Sequence, residues 1–354
     1  MQSKVLAANF ITIVLILTSC NSSPVIPPEN KPDQPGRRDY TWTVDTMRHH
    51  ITRIWGSAAN DVWAVGPAGN LNTTIWHFDG NKWSSDSIFR VISPTAIYGF
   101  SKNNVFIGSS GGNIWSFNGR KWSEQTILKK DEYGDVAIDN IWGNSPSDFY
   151  AVGAYPDENL LNNNSVISHY FLGNWSMLNT EGLHGLVERL YKSQMDSKIY
   201  ILVIDIGGGE HLDSTKIYEC TNLTWITDKL IKYNKLYSSV WTRGLQADIS
   251  YINGEVYFIL GNKIAKRTNN QFQTFLSVNN SYFFQRIWGR NSKDIFLSMI
   301  DGLAHYNGSD IQYLFYINKP STYILQAILF DTEVFFVVMD YGNDLDLIYH
   351  GKLK

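Results

Sequence analysis

Ile54-Trp55-Gly56, Asp61-Val62-Trp63-Ala64-Val65-Gly66, Ile75-Trp76-His77-Phe78-Asp79-Gly80 and Lys82-Trp83-Ser84 make a phrase of four short runs that the rest of the chain repeats. A second copy reads Ile97-Tyr98-Gly99, Asn104-Val105-Phe106-Ile107-Gly108, Ile114-Trp115-Ser116-Phe117-Asn118-Gly119 and Lys121-Trp122-Ser123. A third runs from Ile141-Trp142-Gly143 through Asp148-Phe149-Tyr150 and Ile167-Ser168-His169-Tyr170 to Asn174-Trp175-Ser176. A sixth keeps Ile287-Trp288-Gly289, Asp294-Ile295-Phe296 and Leu303-Ala304-His305-Tyr306. Weaker copies hold one apolar–aromatic pair each at Ile199-Tyr200, Val256-Tyr257 and Val334-Phe335. The runs are rich in β-branched and aromatic residues and are punctuated by Gly, Asn, Asp and Ser, which marks short strands and tight turns.

Four strands per repeat, seven repeats, is the pattern of a seven-bladed β-propeller, an all-β fold with four antiparallel strands per blade. A lone four-stranded sheet would leave two apolar faces bare, so each blade must stack on its neighbours. The seventh copy ends at Ile348-Tyr349-His350 without a Trp-bearing fourth strand. Tyr40-Thr41-Trp42-Thr43-Val44 stands before the first copy and resembles Lys82-Trp83-Ser84. The N-terminal strand is therefore expected to complete the last blade and close the ring. The alternative is an open solenoid capped by Trp42. Pairing at the usual spacing of about 4.8 Å decides between them.

Composition agrees. Of 354 residues, 14% are aromatic and only 18% charged, which fits a β-rich protein with a large buried area. The formal net charge is −3, with no Lys/Arg block, so nucleic acid is not an expected partner.

The N-terminal residues read as a targeting segment. Lys4 precedes an apolar run, Val5–Leu17, too short for the roughly 20 residues of a bilayer span and suited to a secretory signal peptide. It ends in Leu17-Thr18-Ser19-Cys20, which resembles the lipobox of bacterial lipoproteins. That resemblance implies cleavage before Cys20, acylation of Cys20 and anchoring to membrane lipid in the cell envelope, facing the periplasm or the cell surface. Residues 21–39 carry five of the ten prolines and read as a tether. The expected organisation is a signal peptide over 1–19, a lipidated Cys and tether over 20–39, and the propeller over 40–354. The repeat wording itself is similar to that of a large set of bacterial secreted propellers. This implies fold and export, and no particular reaction.

Several residues invite a chemical role. His77, His169, His305 and His350 share one repeat position, which places them on different blades, so packing on an aromatic explains them better than a metal site. Trp55, Tyr98, Trp142, Tyr191 and Trp288 fit packing between blades. Asp61, Asn104, Asp148, Glu255, Asp294 and Glu333 fit turns before the second strand. No nucleophile elbow, zinc motif or phosphate loop appears, so no catalytic residue and no metal ligand is assigned.

Binding concentrates on loops held by a rigid scaffold. Three long loops between second and third strands differ among copies and belong to one end of the ring. Their candidate ligand-binding residues are Tyr155, Asp157, Glu158 and Asn159, then Glu210, His211 and Asp213, then Tyr341 and Asp344. Such oxygen-rich loops suit a glycan, an envelope protein or, as a cofactor, Ca²⁺. The leading expectation is a non-catalytic binding module. Alternatives are a glycan hydrolase or lyase using the loop carboxylates and a scaffold in an envelope assembly.

Overall fold

Each blade's second strand is a run of apolar residues buried on both sides, and that dictates the assembly. Asp61–Val65 is buried from its second residue to its last, as is Glu333–Asp340. Strands that alternate toward two apolar faces need cover on both, and only neighbouring sheets supply it. The computed structural model describes residues 33–47, 50–67, 71–130, 136–156, 163–206, 213–220, 230–241, 246–317, 319, 321–342 and 345–354. Among these, the strands form seven four-stranded antiparallel sheets. Blades one to six are built from consecutive strands within Arg53–Ser85, Pro94–Ile127, Ala137–Met177, Leu186–Val240, Ala247–Ser277 and Phe283–Tyr316. Gln34–Lys354 form one compact unit. Cys20 and the signal and lipobox residues lie outside the described residues.

Blade seven takes three strands from Thr322–Leu353 and its outermost strand from Tyr40–Met47. The register runs from Tyr40 opposite Leu353 to Met47 opposite Asp346, with Trp42 opposite Gly351. The ring is closed by chain ends, and the open solenoid is excluded. Adjacent blades share cores. Ile54, Val62 and Phe78 of blade one pack with Phe335, Val337 and Ile348 of blade seven. Burying each such side chain is worth about 1.5–3 kcal/mol.

The repeated polar position forms cross-strand pairs. The residue at, or in blade four just before, the start of strand two faces a partner on strand three in six blades. His77 Nε2 donates to Asp61 Oδ1 at 2.7 Å, His169 to Asp148 at 2.7 Å, His305 to Asp294 at 2.8 Å and His350 to Glu333 at 2.6 Å. Blade five substitutes Lys266 donating to Glu255 at 2.6 Å. Blade four reverses the pair, with Lys198 donating to Glu219 at 3.1 Å. Each histidine also lies on the aromatic residue opposite it, at ring separations of 4.2 Å on Trp63, 4.5 Å on Tyr150, 4.6 Å on Phe296 and 3.9 Å on Phe335. The histidines are structural, and the acids beside them are pairing partners rather than turn residues alone.

The strand-one aromatics pack between blades as expected. Trp142 of blade three meets Tyr191 of blade four edge-on at 5.7 Å, and Trp288 of blade six meets Phe336 of blade seven at 5.8 Å. Cys220 is a buried free thiol that burial pushes up to about 12, so it is a packing residue rather than a nucleophile.

Candidate functional site

The channel, the loop end and the grooves between blades each bring polar or aromatic groups together. In the channel, innermost strands carry an ionic network. Arg286 Nη2 donates to Glu188 Oε1 at 2.8 Å, Arg286 Nε to Asp248 Oδ2 at 3.2 Å and Arg286 Nη1 to the Leu325 carbonyl at 3.0 Å. Arg189 Nε pairs with Asp248 Oδ1 at 3.0 Å. Arg53 of blade one reaches the Asp139 carbonyl of blade three at 3.4 Å. Side chains of blades that are not neighbours thus meet. Burial works to raise the Glu188 carboxyl, but Arg286, Arg189 and Arg53 outweigh it and hold it below the ordinary carboxylate value. At Asp248 burial prevails and raises the carboxyl despite Arg189 and Arg286. Burial also raises Asp139, to about 6. These charges are largely spent on one another, so the network reads as an internal plug.

At the loop end, Asp157, Glu158, Asn159, Glu210, His211 and Asp344, the oxygen ligands expected for Ca²⁺ among them, lie outside the described residues. Tyr155 is half-buried at the end of its strand, against the core that holds Phe106, Ile138 and Phe149. The Asp213 carbonyl accepts from the Trp241 amide at 2.8 Å. Tyr341 is 63% exposed and stands edge-on to Tyr323 at 6.0 Å. The three stand on blades three, four and seven, and Tyr341 is separated from Asp213 by blades five and six.

The groove between blades one and two was missed by sequence reasoning; it is a concave site of about 620 Å³. Its wall is aromatic. Trp63 of blade one lies 4.9 Å from Phe117 and 5.3 Å from Trp122, both on blade two. His77 opens into it beside Trp63. Its rim is the linker between the blades, where Ile88, Phe89 and Val91 are 54%, 65% and 74% exposed. Arg90 is held within that rim by two bonds to the Asp86 carboxylate, at 2.9 and 2.5 Å, and its guanidinium lies 5.9 Å over Trp115. At the opposite lip, Arg120 and Lys121 occupy an exposed turn of blade two. No carboxylate among the described residues pairs with either. The volume and aromatic lining suit a ligand site, and a contiguous exposed apolar rim marks an interaction surface. The sequence signal was present in Ser87-Ile88-Phe89-Arg90-Val91-Ile92, an apolar run in a position that the other copies fill with turn residues.

The corresponding groove between blades six and seven is occupied by the chain itself. Ladder register makes Phe296 and His305 the counterparts of Trp63 and His77, and Trp42 and Gly351 the counterparts of Trp122 and Phe117. Tyr40 wedges there, 6.1 Å from Phe296 and 5.5 Å from Trp42, with its hydroxyl accepting from Arg290 at 2.7 Å. The preceding residues, the described end of the expected tether, run along blade six. The Gly36 amide donates to the Lys293 carbonyl at 2.9 Å, and Arg38 donates to Asp310 Oδ1 and the His305 carbonyl, each at 2.9 Å. Gly36 lies so close over the ion pair that a Cβ there would stand 2.5 Å from both Asp294 Oδ1 and His305 Cε1. The consequence is visible in side-chain exposure, 0% at His305, 6% at His169 and 4% at His350 against 31% at His77.

No family model and no curated protein matches this sequence. Solved structures do resemble it. A YCF48 structure described as bound to a D1 peptide has a TM-score of 0.59 at 14% identity, covering 91% of this chain and 99% of that one. YCF48 from Cyanidioschyzon merolae gives 0.59 at 12% identity, with 87% and 98% covered. The WD40 β-propeller domain of Doa1 gives 0.53 at 11% identity, with 85% and 93% covered. The likeness is one of fold. The chain is a seven-bladed β-propeller, an architecture consistent with a binding or scaffold module.

Proposed function

We propose that this protein is an exported module, anchored in the cell envelope through an acylated Cys20, that binds a protein partner rather than catalysing a reaction. The observation that carries the binding half is the exposed rim of Ile88, Phe89 and Val91 beside the open groove of Trp63, Trp115, Phe117 and Trp122. Solvent-facing apolar side chains beside a concave aromatic wall lower the free energy when another surface covers them. The structural neighbour YCF48, bound to a D1 peptide, supports a protein ligand on a propeller of this shape. The Leu17-Thr18-Ser19-Cys20 run supports the anchor, and several acyl chains hold a protein where one does so marginally.

A photocrosslinking benzoylphenylalanine introduced at position 89 in the intact anchored protein tests the reading. A protein adduct is expected there and not with the same probe at position 172, where exposed Leu172 lies on blade three. Adducts at neither position, or equally at both, would remove the groove as the binding surface. Cys20→Ser is expected to abolish acylation of the N-terminal peptide by mass spectrometry and to move the protein from the membrane to the soluble fraction.

Exposed Tyr341, with Tyr323 beside it, favours a second reading in which the loop end stacks a sugar. Binding on a glycan array that is lost in Tyr341→Ala would select it.

A further inference from the structure

The two equivalent grooves differ in one respect that says what the open one takes. Between blades six and seven the chain supplies an extended segment, Gly36–Tyr40, whose backbone bonds to the blade edge and whose one aromatic ring enters between Phe296 and Trp42. Between blades one and two the equivalent wall is Trp63, His77, Phe117 and Trp122, with Phe117 where the sister groove has Gly351, and no segment of the described chain covers the cavity beside it. The register that places Tyr40 two residues before Trp42 places Arg120 two residues before Trp122. Where one groove presents its own ring inward, the other presents cations outward at its lip.

We infer that the groove between blades one and two binds an extended, acidic segment of a partner protein carrying one aromatic side chain, an inference that rests on the binding-module reading above. The aromatic ring of the partner enters the cavity beside Trp63, Phe117 and Trp122, whose rings already touch one another at 4.9–5.3 Å, so it lies on that wall rather than between its rings. Its carboxylates meet Arg120 and Lys121. Arg90 is already neutralised by Asp86, so its aliphatic stem and the exposed Phe89 and Ile88 form the apolar bank along which the segment lies. The charge at the site is opposite to that of the whole chain, which is −3. The unpaired cations at the lip are therefore a local feature and not the reflection of a basic protein.

Three fluorescein-labelled decapeptides test this by anisotropy with the folded protein. One carries a single phenylalanine among glutamates, one the same phenylalanine among lysines, and one alanine among glutamates. The glutamate–phenylalanine peptide is expected to bind at least tenfold more tightly than either of the others. Its affinity should fall at least tenfold in Arg120→Glu/Lys121→Glu and measurably in Phe89→Ser. All three positions are exposed, so these variants keep the fold. Equal binding of the two glutamate peptides would mean that charge alone is read, and equal binding of the glutamate and lysine peptides that apolar surface alone is read. Either result, or no binding of the glutamate–phenylalanine peptide at about 1 mM, overturns the inference. If a partner crosslinked at position 89 is retained in Arg120→Glu/Lys121→Glu, the acidic-segment inference fails while the binding-module reading survives. Loss of all crosslinking in the unaltered protein sinks both.

Discussion

Two grooves of one ring are built from equivalent strands and have opposite fates. Between blades six and seven, Gly36 seals an ion pair, Tyr40 fills the aromatic gap and His305 is wholly buried. Between blades one and two, the same pair, His77 and Asp61, stands beside an open cavity under an apolar rim. The difference does not come from the repeat unit. It comes from Gly351 in place of Phe117, and from a segment far away in sequence that happens to pass blade six. The wall is sealed between blades six and seven, where this segment covers it, and stands open between blades one and two.

The largest test removes the cover. Deleting residues 34–47 takes away the outer strand of blade seven and the segment on blade six, leaves the Leu345–Leu353 edge unpaired and opens the ring. Loss of cooperative thermal unfolding by circular dichroism is expected, and a transition near that of the parent protein would show that closure by the N-terminal strand is dispensable. Next come the two histidines. His305→Ala removes a buried ring and its bond to Asp294 and should cost about 2–4 kcal/mol. His77→Ala, at the open groove, should cost less than about 1 kcal/mol. Equal losses in urea denaturation would break the comparison. Gly36→Ala is smaller, about 1–2 kcal/mol, because the segment can lift off. Its signature is faster amide exchange at Gly36 and Tyr40 with the rest of the ring unchanged.

Acid separates buried from open sites by sign. Burial holds His305 and His350 below the ordinary value of 6.5, against the pull of Asp294 and Glu333. Folded imidazoles so depressed bind fewer protons than unfolded ones, so stability is lost as pH falls through that region. The Asp294 carboxyl acts in the same direction, since the bonds from His305 and Arg290 overcome burial and hold it below its usual value. Asp139 opposes them. Raised to about 6 by burial, it favours the folded state at pH below its unfolded value and loses that contribution as pH rises through about 6. Unfolding midpoints at pH 7 and pH 5 should therefore differ less in His305→Gln and more in Asp139→Asn than in the unaltered protein. The opposite order would show that the channel, not the blade edges, governs the acid response. The smallest effect on stability is expected at the open lip, where Arg120→Glu/Lys121→Glu should change it by no more than about 0.5 kcal/mol.

The blade count and the closure were legible because strand alternation and turn residues are local signals that recur. The histidine position was legible as structural for the same reason. Its equivalents in blades four and five, Lys198 with Glu219 and Lys266 with Glu255, were not, because the residue types change while the backbone position stays. The axial arginines left a trace, since Arg53, Arg189 and Arg286 each stand two residues before the strand-one aromatic. Their partners Glu188 and Asp248 left none, for the pairs they make with Arg189 and Arg286 join blades four, five and six, and no local pattern encodes which blades stack. Of the loop-end candidates, Tyr155 is half-buried against a core rather than free to stack a ligand, and Tyr341 is exposed.

By itself the sequence determined that this chain builds seven stacked sheets, because each sheet's two apolar faces need cover, and the seventh copy's missing fourth strand pointed to Tyr40–Met47 as its completion. Only the tertiary structure decided which of the equivalent grooves stays open. That choice depends on contacts between residues 250 or more positions apart, such as Tyr40 with Arg290 and Arg38 with Asp310, and no local propensity encodes them.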